Sequence, residues 1–278
     1  MAIRIVTDST CDLTDAQITQ YQISVIPLYI HMDGKSYRDR VDVSRKDFYD
    51  RLQGGNPLPT TASPGVDTFI NQYEELAAQG TTEILSIHIS SKLSSMMDVA
   101  SLAGKEFRSV PVTLHDSRQV SLGMGFIVLA AAQAAAAGAE MKEILEIVND
   151  ITSRIHVFAA LDTLEYLRRS GRMNFAMAGI GSLLSIKPLL KMYEGQPTTE
   201  QVRTTARSFE RLSSLLREIG PLERVAVVHS NSPEKSNQLI VQNRPYLPSG
   251  EILSVDITPV LGAHLGPGAV GFACVKGR

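Results

Sequence analysis

Through its first half the chain alternates short apolar runs rich in β-branched residues with helix-length stretches, and this alternation limits its fold more than any other feature. Residues 3–6 (IRIV), 25–30 (VIPLYI), 84–89 (ILSIHI) and 110–114 (VPVTL) read as strands. Between them, a helix over 45–53 follows Ser44, a good N-cap. Pro64 follows Ser63 in the cap-then-proline order of a helix start, and that helix runs to Gly80. A further helix begins near Ser94, and an Ala-rich one after Gly125. Strands separated by helices of this length make βαβ units, which build a mainly parallel sheet with flanking helices. One such α/β domain is expected over residues 1–155.

The second half has another rhythm. Residues 163–170 read as a short helix stopped by Gly171. Stretches 186–193 and 198–205 flank Glu194-Gly195-Gln196-Pro197, a turn joining two antiparallel strands. A helix over 207–219, a strand over 224–229, a helix over 233–243 and closing strands over 251–257 and 269–275 follow. These predict a second α/β domain, residues 156–278, with a mixed sheet. At ~100–200 residues per domain, 278 residues suit two.

Composition excludes several partners. With 27 Lys plus Arg against 29 Asp plus Glu, the net charge is −2 and no long-range basic field draws nucleic acid. Cys11 and Cys274 form no CxxC pair, so they read as two reduced thiols, without a zinc knuckle or disulfide framework. The six His show neither HxH nor HxxxH spacing, and no metal site is expected. The opening MAIRIV meets Asp8 before reaching the ~7–15 apolar residues of a leader peptide. Residues 126–137 (FIVLAAAQAAAA) fall short of the ~18 apolar residues of a membrane span and read as a buried helix. A soluble cytoplasmic protein without a cofactor is expected.

The chemistry lies at the strand ends. Thr7-Asp8-Ser9-Thr10 follows the first strand, and Thr60-Thr61-Ala62-Ser63 precedes the second helix. Ser90-Ser91-Lys92-Leu93-Ser94-Ser95 follows ILSIHI, and Asp116-Ser117 follows VPVTL. Ligands of open α/β sheets bind outside the carboxyl ends of the strands. A rim of hydroxyls at helix N-termini favours an anionic head, carboxylate or phosphate. Each Ser or Thr also has a plainer reading as a helix cap. G-x-S-x-G and Walker loops are absent, which removes two enzyme classes. Gly266-Pro-Gly-Ala-Val-Gly271 matches G-x-G-x-x-G, but the chain ends too soon for the acid that such a site needs ~20 residues on. His264 reads as standing in a glycine-rich loop, Gly262-Ala-His-Leu-Gly266, where side chains tend to be exposed for contact, and a ligand role is weighed for it on that ground. Arg168, Arg169 and Arg172 cluster at a helix stop, either as favourable C-terminal charge or as an anion or partner contact.

Taken in order, these motifs resemble the DegV family. Thr7-Asp8-Ser9-Thr10-Cys11-Asp12-Leu13 matches its T-D-S-x-x-D-L element, Thr61-Ala62-Ser63-Pro64-Gly65 its T-S-x-P-S loop, and residues 89–96 (ISSKLSSM) its I-S-S-x-L-S-G-T loop. Asp116-Ser117 with residues 121–125 (SLGMG), then 161–172 (LDTLEYLRRSGR), 186–190 (IKPLL) and 264–268 (HLGPG) continue the likeness over nearly the whole chain. The resemblance implies two α/β domains enclosing one long-chain fatty acid, such as palmitate. It also implies that Thr61 and Ser94 hold the carboxylate, with His264 near the same head. Some relatives present the acid to a separate fatty acid kinase, which makes the acyl-phosphate. Arg172 and Arg203 are the matching docking candidates. On this reading the chain is a lipid carrier with no catalytic residue.

The physics agrees. Neutral hydroxyls leave a carboxylate open to a phosphoryl donor, whereas a bidentate Arg clamp occupies both oxygens. At ~0.8 kcal/mol per buried CH₂, a sixteen-carbon tail supplies on the order of 10 kcal/mol before ordering costs. The Leu-, Ile- and Met-rich tracts 122–132 and 173–190 read mainly as core, with tunnel lining as the alternative. Ala62 and Gly65 replace two family serines, and Ser95-Met96 replaces Gly-Thr, so a head-group geometry particular to this chain is expected. The rival readings are an enzyme for a small phosphorylated or carboxylated substrate, using Asp8, Asp116 and the rim, and an interaction module with no internal ligand.

Overall fold

The computed structural model describes residues 2–52, 58–172 and 187–278. The chain runs β1 (Ile3–Asp8), α1 (Asp15–Gln20), β2 (Ser24–Ile26), β3 (Tyr29–Met32), β4 (Lys35–Arg38), α2 (Arg45–Leu52), β5 (Thr60–Ala62) and α3 (Val66–Ala78). It continues through β6 (Glu83–His88), α4 (Met96–Glu106), β7 (Val112–Asp116), α5 (Leu122–Ala136) and α6 (Met141–Arg154). The second half comprises β8 (Ile155–Ala160), α7 (Glu165–Arg169), β9 (Lys187–Tyr193), β10 (Gln196–Val202) and α8 (Thr205–Ile219). It closes with β11 (Leu222–His229), α9 (Pro233–Asn243), β12 (Leu253–Asp256), α10 (Pro259–Leu265) and β13 (Val270–Lys276).

The expected α/β class holds. Strands β2-β1-β6-β7 form a parallel sheet, with Ile5 beside Leu85 and Ile87 beside His115. The chain leaves β1 toward β2 on one side and later takes β6 on the other. Strand order therefore reverses between β1 and β6, the place where an open parallel sheet leaves a crevice at its carboxyl edge.

Two expectations at this edge need correction. The run 25–30 is two strands, because Pro27 has no N–H to give a ladder and parts β2 from β3. β3 then joins a separate antiparallel sheet in the order β4-β3-β5, with Ile30 opposite both Tyr37 and Thr61. Residues 60–62, read from the sequence as a hydroxyl cluster leading into a helix capped by Ser63, are thus an edge strand. α3 starts later, from Gly65, without any side-chain cap.

α5 begins at Leu122 rather than after Gly125, and every residue from Leu122 to Ala132 is buried. The reason is its position between the two large sheets. A Cβ on Gly123 would lie 2.4 Å from Val157 Cγ2 on β8, and one on Gly125 would lie 2.4 Å from the Cys11 carbonyl oxygen after β1. The glycines sit inside the helix because both sheets press on it.

The six strands β10-β9-β8-β13-β11-β12 form the mixed sheet, parallel only between β11 and β12. β9 and β10 meet through Glu194 and Gly195 alone, both at positive φ, a tight two-residue hairpin. Phe209, Leu212, Leu216 and Leu239 of α8 and α9 cover one face with Phe158, Val227 and Phe272. The other face, with Val157, Ala226, Val228 and Ala273, joins the larger core around α5.

His264 lies on the last turn of α10, not in a loop. Gly266 ends that helix at φ +72, and Gly271 is already in β13, so these glycines lead into a strand and form no dinucleotide fingerprint. Ile186 and most of the tract 173–190 lie outside the described residues. Both cysteines are free and buried, with burial pushing each thiol up to about 12. Among the described residues no helix is long and apolar enough to cross a membrane, and no side-chain group is arranged to hold a metal.

Candidate functional site

A cavity of about 170 Å³ opens at the carboxyl edge of the parallel sheet. A single water needs only ~10–15 Å³. One wall comes from the two strands at the order reversal: Thr10 after β1, and Ile89, Leu93 and Ser94 after β6. The facing wall is the mixed sheet. Ala159 pairs with Leu190 and Val157 with Met192, and the two-residue alternation turns these four side chains to the same face. α10 closes a third side with Val260, Leu261 and His264. The lining is mostly apolar.

One end is polar. Pairing of β5 with β3 sets Thr61 beside α10, where its Oγ1 lies 2.9 Å from His264 Nε2. His264 Nδ1 is buried and has no partner among the described residues. Burial, and then the positive charge of Arg172, hold its pKa down to about 4, so the ring is neutral at physiological pH. Ser94 is half-buried, and its Oγ accepts only a long bond, 3.4 Å, from Met96 N–H. Arg172 lines the same cavity while donating to Ser170 O at 2.9 Å.

Thr61, Ser94, Arg172 and His264 therefore meet around one space, whereas Arg203 is exposed just beyond β10 and does not line it. Ser95, which stands where the family has Gly, is exposed and pairs with Ser63 Oγ at 3.1 Å. Ser121, named above only within a motif, enters the site and is held from behind by a contact no spacing rule foresees. Ser121 lines the cavity and its hydroxyl donates to buried Asp12 at 2.6 Å.

The acids of the rim do structural work. Asp8 accepts from Thr10 N–H, Ile89 N–H and His88 Nδ1, which fixes the turns after β1 and β6. On its far side His88 Nε2 lies 2.7 Å from Ser86 Oγ, an arrangement with the order of a Ser-His-Asp triad. Ser86 is fully buried, however, and Tyr73 Oη holds its hydroxyl from the other side at 2.9 Å. None of the three lines the cavity. Asp116 likewise binds Ser91 and Arg118 N–H and stays outside it.

Fold and cavity together define the class: an α/β protein built on two large sheets, with an apolar space between them that ends in hydroxyls and a neutral imidazole. Within that class the chain belongs to the DegV family: the family model described as "Uncharacterised protein, DegV family" matches residues 2–277. It is 34% identical to the DegV domain-containing protein lin2658 of Listeria innocua over 97% of this chain and 96% of that protein. Among solved structures it resembles DegV of Bacillus subtilis, described as a fatty acid binding protein, at 31% identity and a TM-score of 0.90, covering 99% of this chain and 100% of that one. A DegV family protein of Thermus thermophilus, described by its fatty acid binding, matches at 31% identity and a TM-score of 0.90, covering 99% and 100%.

Proposed function

We propose that the protein binds one long-chain fatty acid in this cavity, its carboxylate at Thr61, Ser94 and His264, and carries or presents it to a separate fatty acid kinase. The observation that carries the reading is the Thr61–His264 pair, with a bare Nδ1, at the polar end of an otherwise apolar cavity. The neutral ring offers one donor to an anionic oxygen in either tautomer: with the proton on Nε2 it donates to Thr61 and frees the Thr61 hydroxyl proton, and with the proton on Nδ1 it takes the Thr61 proton at Nε2 and leaves Nδ1–H to donate. Ser94, with only a long bond to satisfy it, offers a second donor. Solved relatives described as fatty acid binding support the ligand class.

In this reading units 1–155 and 156–278 close over the acyl chain, and the phosphoryl donor approaches at the Arg172 end with Arg203 as an outer contact. The rival enzyme reading loses support because Asp8 and Asp116 do not face the cavity.

Mass spectrometry of the native protein, then of the organic extract after denaturation, tests the reading. A stoichiometric acyl mass is expected. Hydrogen bonds to a charged group are worth ~1.5–3 kcal/mol, so Thr61→Val with Ser94→Ala should weaken palmitate binding at least tenfold while the fold stays intact. An empty wild-type protein that also refuses added palmitate would overturn the reading. Unchanged occupancy in the double variant would overturn the site.

A further inference from the structure

We propose that Asp12 is a positioning residue for the head-group site, its buried carboxylate pinning the start of α10 and the Ser121 turn so that His264 meets Thr61. The inference rests on the reading of the cavity given above, and it concerns a residue that does not touch the cavity itself.

Asp12 follows β1 at φ +53 and is fully buried. One carboxylate oxygen accepts Thr258 N–H, the amide that opens α10, at 2.8 Å, and the other accepts the Ser121 hydroxyl at 2.6 Å. Arg45 from α2 stands 3.7 Å away. Arg40 and the buried Asp39 are the other charges that face it. One side chain thus joins three walls of the cavity: the turn after β1 that carries Thr10, the start of α5, and α10.

α10 needs such a pin. Seven residues do not hold a helix in place by propensity, so tertiary contacts set its axis. Its middle is seated where Gly262 meets Tyr49, with room for no Cβ: one would lie 2.6 Å from Tyr49 Oη. Its far end is the Thr61–His264 bond. Thr258 to His264 spans ~9 Å at ~1.5 Å per residue, so a tilt of about 10° about the Asp12 end moves the imidazole by about 1.5 Å, enough to break that bond. A carboxylate suits the position because both oxygens accept, and both of its partners donate.

The test compares wild type with Asp12→Ala, Asp12→Asn and Thr258→Pro. Two readouts are used: release of ¹³C-labelled palmitate, and the His264 titration followed by proton–carbon NMR. The Asn variant keeps an acceptor for Thr258 N–H and can turn its amide donor to Ser121. The Pro variant removes the N–H together with a hydroxyl that has no partner among the described residues, at a φ of −61° that proline adopts without strain. Asp12→Ala and Thr258→Pro should release palmitate about tenfold faster, the loss of a ~1.4 kcal/mol contact. They should also move the His264 midpoint up toward its ordinary value of ~6.5 as water reaches the ring. Asp12→Asn should stay close to wild type in both. Wild-type release and an unmoved His264 in both disrupting variants would overturn the proposal, as would an Asn variant no better than Ala. If Asp12→Ala does not fold, Thr258→Pro decides. If wild type takes no palmitate, the ligand reading fails, and the His264 titration still decides the role of Asp12.

Discussion

At the residue scale, one contact organises the polar end of the cavity, Thr61 Oγ1 against His264 Nε2 at 2.9 Å. The hydroxyls around it were legible because they stand beside strand ends, where chain order alone assigns them to the carboxyl edge of a sheet. The contact that organises them was not. Thr61 and His264 are 203 residues apart, and no local pattern places a helix-end histidine against an edge-strand threonine. Burial of that histidine has a measurable consequence. Its folded pKa of about 4 lies below the ordinary 6.5, so the unfolded chain takes up a proton that the folded protein refuses. Above 6.5 the ring is neutral in both states and contributes no pH dependence. Between 6.5 and 4 this group alone removes stability as pH falls, by on the order of 2–3 kcal/mol in total. Urea unfolding of His264→Gln and wild type at several pH values should show the variant losing less stability over that window. Parallel curves would mean that water already solvates the ring.

At the element scale, long periodic segments were legible and short edge segments were not. α8 and α9 lie where apolar spacing put them, and the Glu194-Gly195 turn joins the expected strands, one residue pair tighter than the four-residue signal implied. β5 is three residues long and carries no period of its own; its partner β3 makes it a strand. α5 misled for a different reason. Glycines usually end helices, but here they let one helix approach two sheets. Two glycine-to-alanine changes separate propensity from packing. In α4, a Cβ on Gly104 would have its nearest neighbours at 4.0 Å, so Gly104→Ala should stabilise by up to ~1 kcal/mol through helix propensity. In α5, the same change at Gly125 drives a methyl to 2.4 Å from a backbone oxygen, so Gly125→Ala should destabilise by ~1–3 kcal/mol or more. Calorimetry of the two variants gives opposite signs if this account holds. A stabilised Gly125→Ala would refute the close approach.

At the scale of the whole molecule, the two large sheets meet around α5, and acids are sealed in the interior as well. Asp39 is fully buried, and neither carboxylate oxygen has a well-aligned donor among the described residues. Burial pushes its pKa up to about 7; the nearby Ser9 hydroxyl pulls it down, Asp12 raises it further, and Arg40 and Arg45 oppose. Asp12 is pushed up to about 6 by the same desolvation. The sign is opposite to that of His264. A carboxyl held above its ordinary 3.8 binds its proton more tightly in the folded state, so its contribution falls as pH rises from about 4 to about 7 and is flat above. Rising pH therefore restores stability through the histidine while removing it through the acids, and the wild-type profile should be flatter than either group alone would make it. Each substitution exposes one slope. Asp39→Asn should gain stability over wild type at pH 8, on the order of a few kcal/mol, and the gain should vanish near pH 4. Both proteins must be compared in the same ligand state, since a bound acyl chain adds its own stabilisation by mass action. A constant offset between the two curves across this range would show that Asp39 titrates normally, and that water reaches its carboxylate.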